Sequence, residues 1–512
     1  MRTEYSIRNI KYVFLSQVAA IIISLVSRMF FVRLLSATYL GLNGLFTNIL
    51  TILSFVELGI GPAFTFALYE PLKDKDTEKI KTLMHLFKKA YTIIGIIILI
   101  LGTLLIPFVP YLISDLPDIP YFNLIYWLFV LNTSVSYFGS YKKTLLTSDQ
   151  KNYLVIKIHY IFYCIMNIVQ IISLFLTKSF LIYLIIQVLF TIAENIYATI
   201  YVNKRYPYLN DKEIAKLDAN TSRMIKKNVS AMVVHKFGSI LVTATDNLIL
   251  SKYVGLVAVG IYSNYYLIIN NVKKILKQIF NSTIASVGNL GAEGNKGKLL
   301  KTFQHINFIN FYIQSLFAIG MLVTMQDFIT LWVGESFLFS FPTLVVLIAC
   351  FYFTGLRSSV LLFKEALGIY WQDRYKAFVE ALLNLIISIV LVKYIGVIGV
   401  FIGTLLSTLL TCFWVEPVVL YKYGFKQSVK TYFADVMKNT IVMIFLAIIC
   451  LYILDFIQGP LLIVICVKVI VTFVIVNIVY YLLYRKNDNY LYFKSLVLKT
   501  IKRMGRKHEK AD

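Results

Sequence analysis

Residues 8–11 read Arg8-Asn9-Ile10-Lys11 and open a long apolar run, and residues 223–226 read Arg223-Met224-Ile225-Lys226 and open another, 215 positions later. Tyr39-Leu40-Gly41-Leu42 follows the first run and Val259-Gly260-Ile261-Tyr262 the second, so Gly41 and Gly260 stand 219 apart. Further on, Lys142, Gln150 and Tyr153 match Lys364, Gln372 and Tyr375 at a constant 222. A slowly drifting offset is what a duplicated unit leaves after a few small insertions. Two similar apolar bundles in one chain predict two lobes that rock about a central site, the architecture of a transporter.

Composition supports a membrane chain. Of 512 residues, 59% are hydrophobic and only 15% charged, against roughly a quarter charged in soluble domains. Apolar runs of about twenty residues recur from end to end, each long enough to cross a ~30 Å hydrocarbon core as a helix. The reading is an all-α polytopic membrane protein with about fourteen transmembrane helices. Its parts are an N-lobe over 1–203 (spans 1–6), a cytoplasmic linker over 204–227 and a C-lobe over 228–422 (spans 7–12). Two additional spans fill 423–484, and a basic tail covers 485–512. After the second span, Ile80, Leu83, Met84 and Phe87 fall at i, i+3, i+4 and i+7, which predicts an amphipathic helix lying in the interface.

All but eight of the 50 Lys and Arg fall in loops or termini assigned to the inner side. Asp115, Asp118, Asp327, Glu335 and Asp455 fall in the outer loops. This positive-inside pattern puts both termini in the cytoplasm. The formal charge of +24 then calls for no nucleic acid; a basic face beside anionic lipid accounts for it. The apolar stretch from Tyr12 to Leu35 contains Arg28 and Arg33 and is too long for a cleavable signal. Cys164, Cys350, Cys412, Cys450 and Cys466 are scattered singly, so neither disulfides nor a structural metal is expected.

No enzyme signature stands out. Asp74-Lys75-Asp76 has the DxD form of many glycosyltransferases but sits in a short charged loop, and Gly291–Lys298 does not fit a nucleotide-binding Gly-rich loop. The informative residues are ionisable groups inside apolar spans, which are costly in lipid and by default face a cavity or a partner. Arg28, Arg33, Lys236 and Arg357 form the cationic set, with snorkelling to the headgroups the competing reading for Arg33. Glu57, Glu194, Asp246 and His235 are candidates for gating or ion coupling, with ordinary helix packing the competing reading for His235. At the repeat offset Asp246 and its neighbour Asn247 map to Ser27 and Arg28. Arg28 and Asp246 are therefore expected either to pair across the lobes as a gate or to form a static buried ion pair. Glu57 precedes Leu58-Gly59-Ile60-Gly61-Pro62, where a helix break is expected. A predominantly cationic cavity favours an anionic substrate, phosphate or pyrophosphate.

The strings Leu40-Gly41-Leu42-Asn43-Gly44, Gly260-Ile261-Tyr262-Ser263, Glu57 through Ala63 and Leu68-Tyr69-Glu70-Pro71-Leu72, together with the 6+6+2 spans, carry a resemblance over nearly the whole chain. The chain resembles the polysaccharide transporters of the MOP superfamily, the Wzx-type lipid-linked oligosaccharide flippases of bacteria. The resemblance implies a multi-pass protein of the bacterial plasma membrane and no enzyme. It would move undecaprenyl-pyrophosphate-linked repeat units from the inner to the outer leaflet for capsule, exopolysaccharide or O-antigen. Partners in that setting are the lipid bilayer, the polymerase and the glycosyltransferases. The resemblance implies no cofactor, only coupling to a Na⁺ or H⁺ gradient or the membrane potential. It also places Arg28 as the match to the arginine on span one of related peptidoglycan-precursor flippases. The competing readings are a multidrug or ion antiporter of the same superfamily and a non-catalytic scaffold of polysaccharide synthesis.

Overall fold

The computed structural model describes residues 2–57, 59–114, 118–211, 223, 229, 245–281, 283–369 and 371–508, with side chains from 17 to 498 apart from 56, 281, 285, 286 and 292. Among the described residues it is almost wholly helical and holds no strand. Ten stretches are long and apolar enough to cross a bilayer. Two further helices, α5 (Phe122–Ser148) and α9 (Leu256–Asn281), have the length but carry more polar residues. Most of the expected seventh span, with His235 and Lys236, lies outside the described residues.

The chain divides into two compact units, Met1–Ser263 and Asn264–Asp512. In the first, α1 (Arg2–Leu34) is followed by α2 (Ala37–Leu53), which ends in a 3-10 turn over Ser54–Glu57. The expected break is real and sits at Gly59, whose φ of 88° admits few residues other than glycine. Then come α3 (Ile60–Asp74), α4 (Thr77–Leu105), α5, α6 (Asn152–Thr177), α7 (Phe180–Arg205) and the helical stretch 245–253, here α8. Asp76 caps α4 by accepting from the Lys79 amide at 2.9 Å. Helices α4 and α5 pack along small residues: Ser134 Oγ donates to the Gly95 carbonyl at 2.7 Å, as is common where helices cross in lipid. The outward faces stay apolar, with Ile93, Ile96 and Ile100 on α4 and Ile161, Ile165 and Ile168 on α6 exposed to the surroundings.

One expectation is corrected here. Ile80, Leu83, Met84 and Phe87 do not form a separate interfacial helix; they are the buried first turns of α4. Helix α3 covers them, and Phe64 stacks flat on Phe87 with centroids 4.4 Å apart.

The second unit includes the short α10 (Ile284–Ala292) and is built around α11 (Lys296–Trp332), at 37 residues the longest of the described helices. It packs on α12 (Phe341–Ala366), α16 (Lys430–Leu454), α17 (Leu461–Tyr484) and α18 (Asp488–His508). The run from α13 (Lys376–Ile395) through α14 (Val397–Leu410) and α15 (Cys412–Val419) lies against α12. Helix α11 continues past the expected span end, so Asp327 lies on the helix and accepts from Lys468 of α17 at 2.7 Å. Tyr480 donates to Ser315 at 2.7 Å. His305 stacks on Tyr492 of α18 with centroids 4.3 Å apart. The basic C-terminal segment is thus a helix docked on α11.

Candidate functional site

Within the first unit, α2 and the start of α9 approach to backbone contact. A Cβ on Gly41 would sit 2.7 Å from the Leu256 carbonyl carbon and closer still to its oxygen. A Cβ on Gly260 would press on the Ala37 carbonyl oxygen and lie 3.3 Å from the Gly41 nitrogen. Ala37 and Leu256, like Gly41 and Gly260, stand 219 apart. The contact is therefore reciprocal: each glycine of the repeat meets the partner of the other, the pattern of an isologous two-fold contact.

This crossing brings the next turn of α9 to α1. Ser263 Oγ donates to the Gly260 carbonyl at 2.8 Å and accepts from Arg28 Nη1 at 2.9 Å. The phenols of Tyr163 on α6 and Tyr183 on α7 interact with the same guanidinium. Tyr183 is held by Phe31, one turn from Arg28, with ring centroids at 5.3 Å. Among the described residues Arg28 has hydroxyl neighbours and no carboxylate within ion-pair distance. Arg33, at the last turn of α1, is exposed. Asp246 is buried on α8. Glu57 accepts from the Tyr91 hydroxyl at 2.8 Å.

In the same unit, Glu194 on α7 meets two basic side chains. Lys143 of α5 reaches Oε1 at 2.5 Å and His159 Nδ1 of α6 lies 3.2 Å from Oε2. Outside the spans, Tyr206 donates to Asp149 at 2.5 Å, tying the end of α7 to the α5–α6 turn. Burial and the Asp149 carboxylate hold that phenol protonated well above its usual range.

The second unit contains a larger charged cluster. Arg357 on α12 makes a two-pronged contact to Glu416 on α15, Nε at 3.0 Å and Nη2 at 2.9 Å, and approaches Glu380 on α13 at 3.4 Å. Lys376 binds Glu416 at 2.7 Å and Asp373 at 2.8 Å, and Lys364 binds Asp373. Thr408 and the Cys412 thiol donate to Glu380 at 2.9 and 3.0 Å. Three cations meet three carboxylates, so the cluster is neutral and its donors are used internally. Reading the sequence picks out Arg357 alone and misses Glu416, Glu380 and Lys376, as it misses His159 beside Glu194. One signal was available: Glu194 and Glu416 stand 222 apart, the offset of Lys142 and Lys364.

Residues 6–285, more than half of the chain, match the family described as polysaccharide biosynthesis protein. The chain belongs to that family. Among solved structures its fold is similar to that of a lipid II flippase, MurJ, in an inward closed conformation. The TM-score is 0.63 at 15% identity, over 94% of this chain and 99% of that one. It is also similar to an inward-facing multidrug resistance MATE family transporter of the MOP superfamily, with TM-score 0.57 at 13% identity over 78% and 93%. A third likeness is the Vibrio cholerae MATE transporter VcmN in the bent form, with TM-score 0.52 at 12% identity over 83% and 98%. A search of curated proteins returned no match. The fold of this polysaccharide biosynthesis protein is therefore that of a MOP-superfamily membrane transporter, as the resemblance implied.

Proposed function

We propose that the protein flips undecaprenyl-pyrophosphate-linked oligosaccharide repeat units from the inner to the outer leaflet of the bacterial plasma membrane by alternating access. The product would feed capsule, exopolysaccharide or O-antigen synthesis. Both termini are cytoplasmic in this reading. The lobes are 1–203 and 228–422, joined by the 204–227 linker and followed by two spans and the basic tail. The observation that carries the proposal is Arg28. Its guanidinium sits in an apolar helix among hydroxyls, so its charge is uncompensated among the described residues and open to an anionic group. Arginine offers paired donors to phosphate oxygens, and an intramembrane cation of this kind marks a substrate path. Arg357 has the same chemistry, but Glu416 already occupies two of its donor positions. The family and a fold shared with a lipid II flippase support a lipid-linked cargo.

The test is reconstitution in proteoliposomes with a labelled undecaprenyl-pyrophosphate oligosaccharide, following leaflet exposure. Wild type should translocate it, and folded Arg28→Ala should lose most of the rate. Translocation that survives Arg28→Ala would remove Arg28 from the mechanism. No translocation by wild type under imposed Na⁺, H⁺ or voltage gradients would overturn the flippase reading in favour of drug export or a scaffold role.

A further inference from the structure

The repeat relation between Glu194 and Glu416 extends to their surroundings, each taken within its own unit. In both, a carboxylate on the sixth span of the repeat meets one basic side chain from the fourth and one from the fifth. In the first unit these are Lys143 on α5 and His159 on α6. In the second they are Arg357 on α12 and Lys376 on α13. The carboxylates match at the repeat offset, while the basic side chains come from corresponding spans at non-matching positions: Lys143 and His159 map to Glu365 and Ala381. Lys376 is charged at all physiological pH, whereas a histidine takes up or gives up its proton between about pH 5 and 8. The Lys143–Glu194–His159 cluster thus has net charge 0 without the proton and +1 with it. The second cluster is balanced by its own three carboxylates.

Among the described residues, the groups facing His159 are these. From α7 comes Glu194, at 3.2 Å. From α5 comes Lys143, on the same carboxylate; the adjacent Lys142 instead donates to Asn203 at 2.6 Å. Its own helix supplies Tyr160, with centroids 5.3 Å away, and Tyr163, stacked at 5.9 Å. Helix α1, which packs on α6, supplies Arg28 among its described side chains, and Arg28 interacts with the Tyr163 phenol. His159 is therefore one helical turn, about 6 Å of rise, from the phenol that neighbours Arg28.

Resting on the flippase reading above, we infer that His159 is a proton-binding site linked to the binding of the anionic headgroup at Arg28. A charge gained about 10 Å from an anion, at an effective dielectric of about 20, changes affinity on the order of tenfold. Linkage makes the effect mutual: the headgroup holds the proton on His159 as firmly as the proton favours the headgroup.

The experiment measures binding of undecaprenyl pyrophosphate to the full-length protein in nanodiscs at about pH 8 and about pH 5.5. The pyrophosphate itself titrates, so the comparison is between variants. Wild type should tighten about tenfold more across this range than either variant. His159→Lys, which holds a positive charge at both pH values, should bind tightly at both. His159→Gln should bind weakly at both. If His159→Lys does not fold, His159→Gln alone decides, through loss of the extra pH dependence. The same pH profile in wild type and His159→Gln would overturn the proton site while leaving the flippase reading intact. No binding by wild type at either pH would overturn the flippase reading, and this inference with it.

Discussion

Gly41 and Gly260 allow a sharp test of the α2–α9 crossing. An alanine methyl at 41 would stand 2.7 Å from the Leu256 carbonyl carbon. Ordinary van der Waals contact begins near 3.4 Å, so the helices must part by at least about 0.7 Å. The obstacle is backbone, which cannot rotate away as a side chain can. Gly41→Ala should therefore fall toward the upper end of the usual overpacking cost of about 1–3 kcal/mol. Gly260→Ala, which presses on the Ala37 carbonyl, should behave alike. One separation relieves both clashes, so the double variant should cost little more than the worse single one. Such non-additivity is expected of sites sharing one displacement. Two glycines serve as controls. A Cβ at Gly44 meets only side-chain atoms, the nearest being Val259 Cγ1 at 3.1 Å, and a Cβ at Gly320 meets nothing within 4 Å. Gly44→Ala should be mild, and Gly320→Ala, inside α11, neutral or stabilising. Thermal unfolding of the purified variants in one detergent ranks all five. Wild-type stability in Gly41→Ala, or strict additivity in the double variant, would refute the reciprocal crossing.

Removing one partner of the Arg357–Glu416 pair should cost about 3–5 kcal/mol, because a buried charge loses its counter-ion; unfolding of Arg357→Leu and Glu416→Leu would measure it, and near-wild-type stability in either would contradict the neutral cluster. Tyr206→Phe removes a hydrogen bond to a carboxylate and should cost roughly 1.5–3 kcal/mol at neutral pH. The folded protein raises the Tyr206 pKa, so its contribution is full below the unfolded value near 10 and is lost as pH rises beyond it; wild type and Tyr206→Phe should converge in stability under alkaline conditions. A double-mutant cycle on Asp327 and Lys468, read by unfolding, should give a coupling energy above the ~1 kcal/mol ceiling of exposed pairs, since both side chains are largely covered; a zero coupling would mean that the pair does not tie α17 to α11.

The helical class and the break beside Glu57 were legible because each rests on local pattern. The break followed from Gly59, Gly61 and Pro62 standing together, and the structure places the positive φ at Gly59 while Pro62 sits harmlessly in the first turn of α3. The start of α4 was misread for an equally local reason. An apolar stripe beside lysines looks the same whether headgroups or another helix cover it. What decides is Phe64, on a helix that the sequence does not place over Phe87. Arg357 stood out as a charge in an apolar span, but its meaning depends on Glu416, 59 residues later, and Glu380, 23 later. Burial cost alone does not say whether a cation awaits an anionic substrate or already has its anion.

Duplication supplies what single residues lack. Positions that agree between the repeats, Gly41 with Gly260 and Glu194 with Glu416, mark the scaffold each half needs in order to fold: a backbone crossing and a carboxylate that gathers two helices. Positions that differ within that scaffold are released from it, and there the chemistry of one half departs from the other. Arg28 matches Asn247, His159 falls in the helix that in the other half supplies Lys376, and Lys143 matches Glu365. The first half therefore holds a cation among hydroxyls and a carboxylate shared with an imidazole, while the second holds a cluster in which three cations meet three carboxylates. The proposed binding and release of an anion would draw on such an asymmetry. A balanced cluster lets a helix bundle persist in lipid, and an unbalanced one makes its affinity depend on what else is bound. The two halves thus separate a shared scaffold from divergent chemistry more cleanly than either read alone.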